Sequence, residues 1–136
     1  MQQLAQAQTA PKPVVCNFAW CPILVEVVKS PSGAESLKVS FDEIRLAPKH
    51  SGATITWKLI GSPDHEFRWD GVMAKGTNAA VAPGQFPLRL ISATEYAHDD
   101  LNTTTQSYGY EIRVYKKGAP AGSTPLTSTG TVVNAS

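Results

Sequence analysis

The stretch ATITWKLI, which spans residues 53 to 60, is the clearest secondary-structure signal in the chain. Its apolar residues occupy every second position, from Ala53 through Trp57 to Leu59, with threonine or lysine between them. Side chains of a β-strand point alternately to opposite faces of a sheet, so this pattern predicts a strand with one buried face. Trp57 is therefore expected in a hydrophobic core.

A second strand of the same kind is predicted at SYGYEIRVYK, residues 107 to 116. Tyr108, Tyr110, Ile112 and Val114 share one face, while charged residues and a tyrosine occupy the other. Tyr108 and Tyr110 are the further core markers that the sequence offers.

Shorter strand signals lie between these two and around them, separated by turn residues rich in glycine and proline. The chain has 10 glycines and 10 prolines, and most of them fall between alternating segments. No run has the length and periodicity of the helices that βαβ units require. The pattern predicts an all-β fold, a two-sheet antiparallel β-sandwich of about seven strands. The strands with Trp57 and with Tyr108 and Tyr110 resemble the two core strands of an immunoglobulin-like sandwich, which implies that fold for the chain.

Two local predictions follow from the same reading. Glu66 to Trp69 is expected to place Phe67 and Trp69 on a common face of a short strand. Residues 93 to 102 are expected to form a loop, because polar residues accumulate there, and a single helical turn is the alternative.

Length and charge limit the domain organisation and the partners. The chain has 136 residues and a formal net charge of +1, which favours one domain and argues against nucleic acid as the partner. Residues 1 to 13 are polar and lack periodicity, and are predicted to form a flexible arm before a single β-sandwich domain at 14 to 136. The most apolar stretch, residues 14 to 28, is shorter than the roughly 20 residues that span a bilayer.

Cys16 and Cys21 are the two cysteines of the chain. They are predicted to form a local disulfide if the protein is exported, and to be free thiols if it is cytoplasmic. Half of a metal site is the remaining alternative. A cytoplasmic location is favoured, and export is the alternative if a signal peptide has been removed from the start of the chain.

Ionisable clusters give no catalytic residues. His98, Asp99 and Asp100 are the candidates for metal ligands, because oxygen-rich loops bind calcium and histidine with carboxylates binds zinc or iron. A solvated turn explains them better, so no metal or other cofactor is expected.

Other clusters fail on geometry or spacing. In Asp64-His65-Glu66, neighbouring strand residues do not converge on one substrate. A blue copper centre needs a cysteine, histidine and methionine close together near the C-terminus, whereas Cys16 and Cys21 lie near the N-terminus and Met73 has no ligand neighbours.

Aromatic residues outside the core pattern are candidates for contacts with a protein or a sugar. Trp20, Phe67, Trp69 and Tyr115 form this group, and Trp20 and Trp69 are the two that we expect to be exposed. Trp20 lies between the two cysteines, in a region that the sandwich pattern does not cover.

Taken together, these motifs resemble a group of small bacterial β-sandwich proteins. Its members carry an Ile-x-Trp-x-Leu strand, an Asp-Gly or Asn-Gly corner, a Tyr-x-Tyr-x-Val strand and a Thr-(Ile/Val)-Val-Asn end. The matching residues are Ile55, Trp57, Leu59, Asp70, Gly71, Tyr108, Tyr110, Val114, Thr131, Val132, Val133 and Asn134. The resemblance covers residues 37 to 134 and implies a fold without an activity, together with recognition of some members as seroreactive antigens.

The expected function is that of a non-catalytic bacterial protein, a binding or structural module that contacts a protein partner or a second copy of itself. The alternative is a metal- or carbohydrate-dependent enzyme, or a sugar-binding module, that uses the loop at 98 to 102.

Overall fold

A computed structural model describes residues 12–16, 20–46, 53–75, 88–100 and 107–133. The side chains of Trp20, Ala53, Leu88, Asp99 and Asp100 lie outside this description. All regular structure in these ranges is β-strand. The strands are β1 (Pro13–Cys16), β2 (Trp20–Lys29), β3 (Glu35–Val39), β4 (Glu43–Leu46), β5 (Ala53–Ile60), β6 (His65–Glu66), β7 (Val72–Lys75), β8 (Leu88–Ser92), β9 (Glu95–Asp100), β10 (Ser107–Lys116) and β11 (Leu126–Val133). In these ranges we find no helix that is long and apolar enough to cross a bilayer.

The strands form two sheets. The first sheet has the order β1-β4-β11-β10, and β6 and β7 pair with different halves of the outer side of β10. The second sheet has the order β3-β2-β5-β9-β8. Each sheet turns an apolar face towards the other, which confirms the predicted all-β, two-sheet sandwich.

Two finer parts of that prediction are wrong. The sheets are mixed, because β1 and β4, β4 and β11, and β2 and β5 pair in parallel. The described residues also contain eleven strands where about seven were expected. The alternation of apolar and polar residues indicates which face of a strand is buried. It does not indicate whether the neighbouring strand runs parallel or antiparallel. The additional strands are short, and β6 has only two residues, too few for a periodic signal.

The segment that was expected to be a loop at residues 93 to 102 is largely strand, because β9 covers Glu95 to Asp100. Tyr96 and His98 point into the sandwich, and Ala97 between them is buried on the other side of the sheet. The polar histidine at an inward position conceals the alternation that would otherwise predict this strand. Residues 101 and 102 lie outside the described ranges.

At the N-terminus, β1 begins at Pro13, beside the boundary predicted for the flexible arm. The backbone amide of Lys12 donates to Asp42 Oδ1 at 2.5 Å, which places this residue next to β4. Residues 1 to 11 of the arm lie outside the described ranges.

Trp57 occupies the centre of the core and is 0% exposed. Its ring makes edge contacts with His98 at 4.6 Å and with Tyr110 at 5.1 Å, measured between ring centroids. Tyr108 is also buried. Burial raises the pKa of Tyr110, and the nearby Trp57 N–H opposes that shift in part.

A disulfide joins Cys16 to Cys21, with the two Cα atoms 5.8 Å apart. Cys16 ends β1 in the first sheet, whereas Cys21 lies near the start of β2 in the second. The bridge therefore ties the two sheets together along one side of the sandwich.

Candidate binding surface at Trp69

Trp69 stands out on the opposite side of the sandwich from the disulfide. It lies at the tip of a turn in which the Gly71 amide donates to the Arg68 carbonyl at 2.9 Å. Its side chain is 74% exposed, more than that of any other large hydrophobic residue that the structure describes. Phe67, two residues earlier, is buried, so the prediction of a common face for the two rings is wrong. The short strand β6 ends at Glu66, and the turn then reverses the alternation.

The backbone of this turn is held by both sheets. The Tyr96 hydroxyl on β9 donates to the Trp69 carbonyl at 2.5 Å. The Arg113 amide on β10 donates to the Gly71 carbonyl at 2.7 Å. The exposed indole is therefore presented by a backbone that is fixed at two points.

Gly71 is required by a close approach. A Cβ atom at this position would lie 2.7 Å from Cδ2 of Tyr96 and 3.1 Å from Cδ1 of Phe67. Real Cβ atoms do not approach carbon as closely as 2.7 Å, and the rings of Tyr96 and Phe67 already pack against each other in a T-shaped arrangement in the core. A larger residue would push the turn away from Tyr96.

Asp70 fixes the same turn from its other side. The residue is 5% exposed, and its Oδ2 accepts hydrogen bonds from the Tyr115 hydroxyl at 2.6 Å and from Arg113 Nη1 at 3.4 Å. The hydrogen bond to Asp70, with a smaller effect of burial, raises the pKa of Tyr115. A buried carboxylate is stable only when it is paired in this way. Asp70 thus anchors the turn that carries Trp69 to β10.

Charged side chains next to the turn compensate one another. Glu111 pairs with Arg113 at 2.8 Å and with Lys75 at 3.2 Å, and the hydrogen bond from Arg113 is the main reason that the pKa of Glu111 is lowered. Arg68 pairs with Glu66 at 2.9 Å. With Asp70, these groups amount to three cations and three carboxylates. These six groups therefore carry no net charge.

Arg68, which directly precedes Trp69 in the turn, contacts Tyr115 on β10. The guanidinium carbon of Arg68 lies 4.6 Å from the centre of the Tyr115 ring, a cation–π contact. Arg68 Nη2 also donates to the Ala119 carbonyl at 2.7 Å. These contacts hold both side chains in fixed positions.

The edge strand β8 carries two further exposed apolar residues that connect to the Trp69 turn through Tyr96. Leu90 is 44% exposed and lies opposite Tyr96 in the β8–β9 ladder, and Tyr96 in turn bonds the Trp69 carbonyl. Ile91 is 46% exposed. We call Trp69, Arg68, Tyr115, Leu90 and Ile91 the Trp69 surface.

The candidate metal ligands are not assembled into a site in the described part of the chain. His98 lies in the core with its ring against Trp57, and is 2% exposed. The side chains of Asp99 and Asp100 lie outside the described residues. No group of three or more metal-ligating side chains occurs in the described ranges.

The remaining residues that the sequence singled out make structural contacts in the described part of the chain. His65 is buried, with Nε2 at 3.2 Å from Glu35 Oε1 on β3, whereas Glu66 faces Arg68 at the surface. Cys16 and Cys21 are bonded to each other and offer no thiolate to copper or zinc. The side chain of Trp20 lies outside the described residues.

Leu90 and Ile91 follow an ordinary strand pattern, which does not predict them as surface contacts. Arg68 was also missed. A signal for the turn was present in Asp70-Gly71, which follows Trp69 directly and is typical of tight turns. That signal predicts the turn. Only the folded structure shows that Trp69, and not Phe67, is the aromatic side chain exposed to solvent.

Comparison with known proteins identifies no relative by sequence and one weakly similar solved structure. No family model and no curated protein matches the sequence. Among solved structures, the crystal structure of a methionine-to-leucine variant of rusticyanin is similar, with a TM-score of 0.38 and 13% sequence identity. The similarity covers 97% of this chain and 90% of that one.

Proposed function

We propose that this protein is a non-catalytic binding module that recognises a protein partner through the Trp69 surface. The observation that carries the proposal is the exposure of Trp69, 74%, on a turn that both sheets hold in place. Leaving an indole in water forgoes the free energy of its burial, so a binding partner that covers it gains that free energy.

The composition of the surface supports a protein partner. Tryptophan, tyrosine and arginine dominate the residues that contribute most to protein–protein binding. Here Arg68 directly precedes Trp69 in the sequence and makes a cation–π contact with Tyr115. The contacts of the Arg68 and Tyr115 side chains and the fixed backbone at Trp69 lower the conformational entropy lost on binding. The compensated charges around the turn favour a partner surface without strong charge of one sign.

The residues that carry the sequence resemblance are accounted for by packing, which leaves Trp69 as a residue with another role. Ile55, Trp57, Tyr108, Tyr110 and Val114 are all buried, so packing of the sandwich accounts for them. Trp69 belongs to none of these motifs. Kinship with the small bacterial sandwich proteins, with their seroreactive members and with immunoglobulin-like domains, stays a prediction.

Binding is tested by comparing wild-type protein with Trp69→Ala and with the control Leu24→Ala, which removes an exposed side chain on β2, 42% exposed. Each variant is immobilised and incubated with extract of the source cells, and the retained proteins are quantified by mass spectrometry. We expect a set of proteins that wild type and Leu24→Ala retain equally and that Trp69→Ala retains at least about tenfold less. Identical profiles for all three proteins contradict the proposal.

The non-catalytic part is tested with chromogenic esters, glycosides and phosphates. Turnover by wild type that is lost in a variant of the 98–102 segment would instead support the alternative, a metal- or carbohydrate-dependent enzyme or sugar-binding module. The core position of His98 gives this alternative less support.

We further propose that the protein works in an oxidising compartment. The Cys16–Cys21 bridge supports export over the cytoplasmic location favoured at first, because cytoplasmic thiols are kept reduced. Intact mass of the protein isolated from its source without reductant tests this. A mass lower than that of the reduced chain by two hydrogens is expected, and the full reduced mass contradicts it.

A further inference from the structure

Tyr96 connects the second sheet to the turn that carries Trp69. It lies on β9, and its hydroxyl donates to the Trp69 carbonyl at 2.5 Å. In the described part of the chain this is the only hydrogen bond that Trp69 makes. The next two residues of the turn, Asp70 and Gly71, are bonded to β10 in the first sheet. The position of Trp69 itself therefore depends on Tyr96.

The ring of Tyr96 is held by the core. Tyr96 is 3% exposed and lies between Trp57 on β5 and Leu90 on β8 in the second sheet. Its ring packs against Phe67 in a T-shaped arrangement, with the ring centroids 6.2 Å apart. A ring in a close-packed interior keeps a low-energy rotamer. The core therefore sets the direction in which the hydroxyl points.

The indole of Trp69 follows its own backbone. The side chain is 74% exposed and makes no ring contact within the described residues, so packing contributes little to its orientation. The carbonyl that Tyr96 holds belongs to the peptide unit between Trp69 and Asp70. Loss of this hydrogen bond would free the peptide unit to rotate, and the indole would then sample more directions.

We propose that Tyr96 is a positioning residue for the Trp69 surface, whose hydroxyl holds the indole in the orientation that meets the partner. A group that is already held in its bound orientation loses less conformational entropy on binding. The inference rests on the proposed function, because it concerns how the Trp69 surface binds. It assigns two roles to Tyr96: the ring packs in the core, and the hydroxyl acts on Trp69.

The substitution Tyr96→Phe separates the two roles, because it keeps the ring and removes the hydroxyl. Its matched control is Tyr110→Phe, which removes another buried tyrosine hydroxyl, one that makes no hydrogen bond to the turn in the described residues. Backbone ¹⁵N order parameters of the Trp69 and Asp70 amides are measured in wild type and both variants. Retention of proteins from extract of the source cells is measured in parallel, and circular dichroism verifies that the variants fold.

We expect the order parameters of the Trp69 and Asp70 amides to be about 0.85 in wild type and Tyr110→Phe, and below about 0.6 in Tyr96→Phe. Retention should fall about threefold to tenfold in Tyr96→Phe, the range that one hydrogen bond explains, and stay within about twofold of wild type in Tyr110→Phe. In a Trp69→Ala background, Tyr96→Phe should cause no further loss, because the hydroxyl acts through Trp69.

The inference is overturned if Tyr96→Phe keeps the wild-type order parameters or retains the proteins as well as wild type does. Equal losses of retention in Tyr96→Phe and Tyr110→Phe also overturn it, since they indicate a general effect on the core. Equal retention by wild type and Trp69→Ala refutes the proposed function and the inference with it. Retention that is lost in Trp69→Ala and kept in Tyr96→Phe refutes only the role of Tyr96.

Discussion

Trp57 and Trp69 are twelve positions apart and have opposite surroundings. Trp57 is 0% exposed between Tyr110 and His98, whereas Trp69 is 74% exposed on a turn. The first ring contributes to the stability of the sandwich, and the second is held by its backbone alone. In this protein, the element that carries a tryptophan decides its role. The tryptophan on a central strand stabilises the core, and the tryptophan on a turn is available for binding.

The largest effect is expected when Trp57 is replaced by alanine. Removal of a fully buried indole leaves a cavity among close-packed rings and should lower the free energy of unfolding by about 3 to 5 kcal/mol. Trp69→Ala, the matched control, should change it by less than about 0.5 kcal/mol, because its ring is mostly in water. Urea unfolding followed by circular dichroism measures both, and equal losses would break the comparison.

The disulfide side of the sandwich gives the next largest effect. Replacing Cys16 and Cys21 together by alanine should lower the free energy of unfolding by about 2 kcal/mol, as expected for a short closed loop. Wild type measured in reductant should lose a similar amount, while the double variant should not respond to reductant. A response of the variant would show that the effect of reductant does not act through this bridge.

A smaller effect is expected at the anchor of the Trp69 turn. Tyr115→Phe removes the hydroxyl that donates to Asp70 and leaves that buried carboxylate with Arg113, for an expected loss of about 1 to 2 kcal/mol. Faster hydrogen exchange at the Gly71 amide would show that the loss falls on the turn. In an Asp70→Asn background the same substitution should cost less, and an unchanged cost would argue against direct coupling.

The smallest effect concerns the charged margin of the turn. The pKa of Glu111 lies below its ordinary value of 4.5, chiefly because Arg113 donates to it. A carboxyl with a lowered folded-state pKa stabilises the fold above its unfolded pKa and loses that contribution as the pH falls through the folded pKa. The stability difference between wild type and Glu111→Gln should therefore be constant from pH 7 to about 5, amount to a few tenths of a kcal/mol, and shrink at lower pH. A difference that grows on acidification would contradict this.

Much of the fold could be predicted because its central strands have regular alternation. Trp57, Tyr108 and Tyr110 occupy inward positions that period two indicates directly. Strand direction could not be predicted in this way, since parallel pairs such as β2 and β5 depend on how distant segments cross between sheets. His98 concealed β9 because a polar residue occupies a core position.

The candidate site was less predictable than the fold. Trp69 was one of two tryptophans expected to be exposed, but the same pattern also placed its ring beside that of Phe67. Its exposure depends on a turn fixed by Tyr96 and Arg113, which are far from it in sequence. The contribution of Leu90 depends on β8 being an edge, and no local pattern reports that position.

The two long sides of the sandwich are closed by different kinds of bond. A covalent bridge between Cys16 and Cys21 joins the sheets on one side, and hydrogen bonds from Tyr96 and Arg113 to the Trp69 turn join them on the other. Local unfolding at low free energy breaks hydrogen bonds and leaves a covalent bridge intact, so we expect the Trp69 side of the sandwich to open before the disulfide side. A partner that covers the Trp69 surface would then oppose this opening.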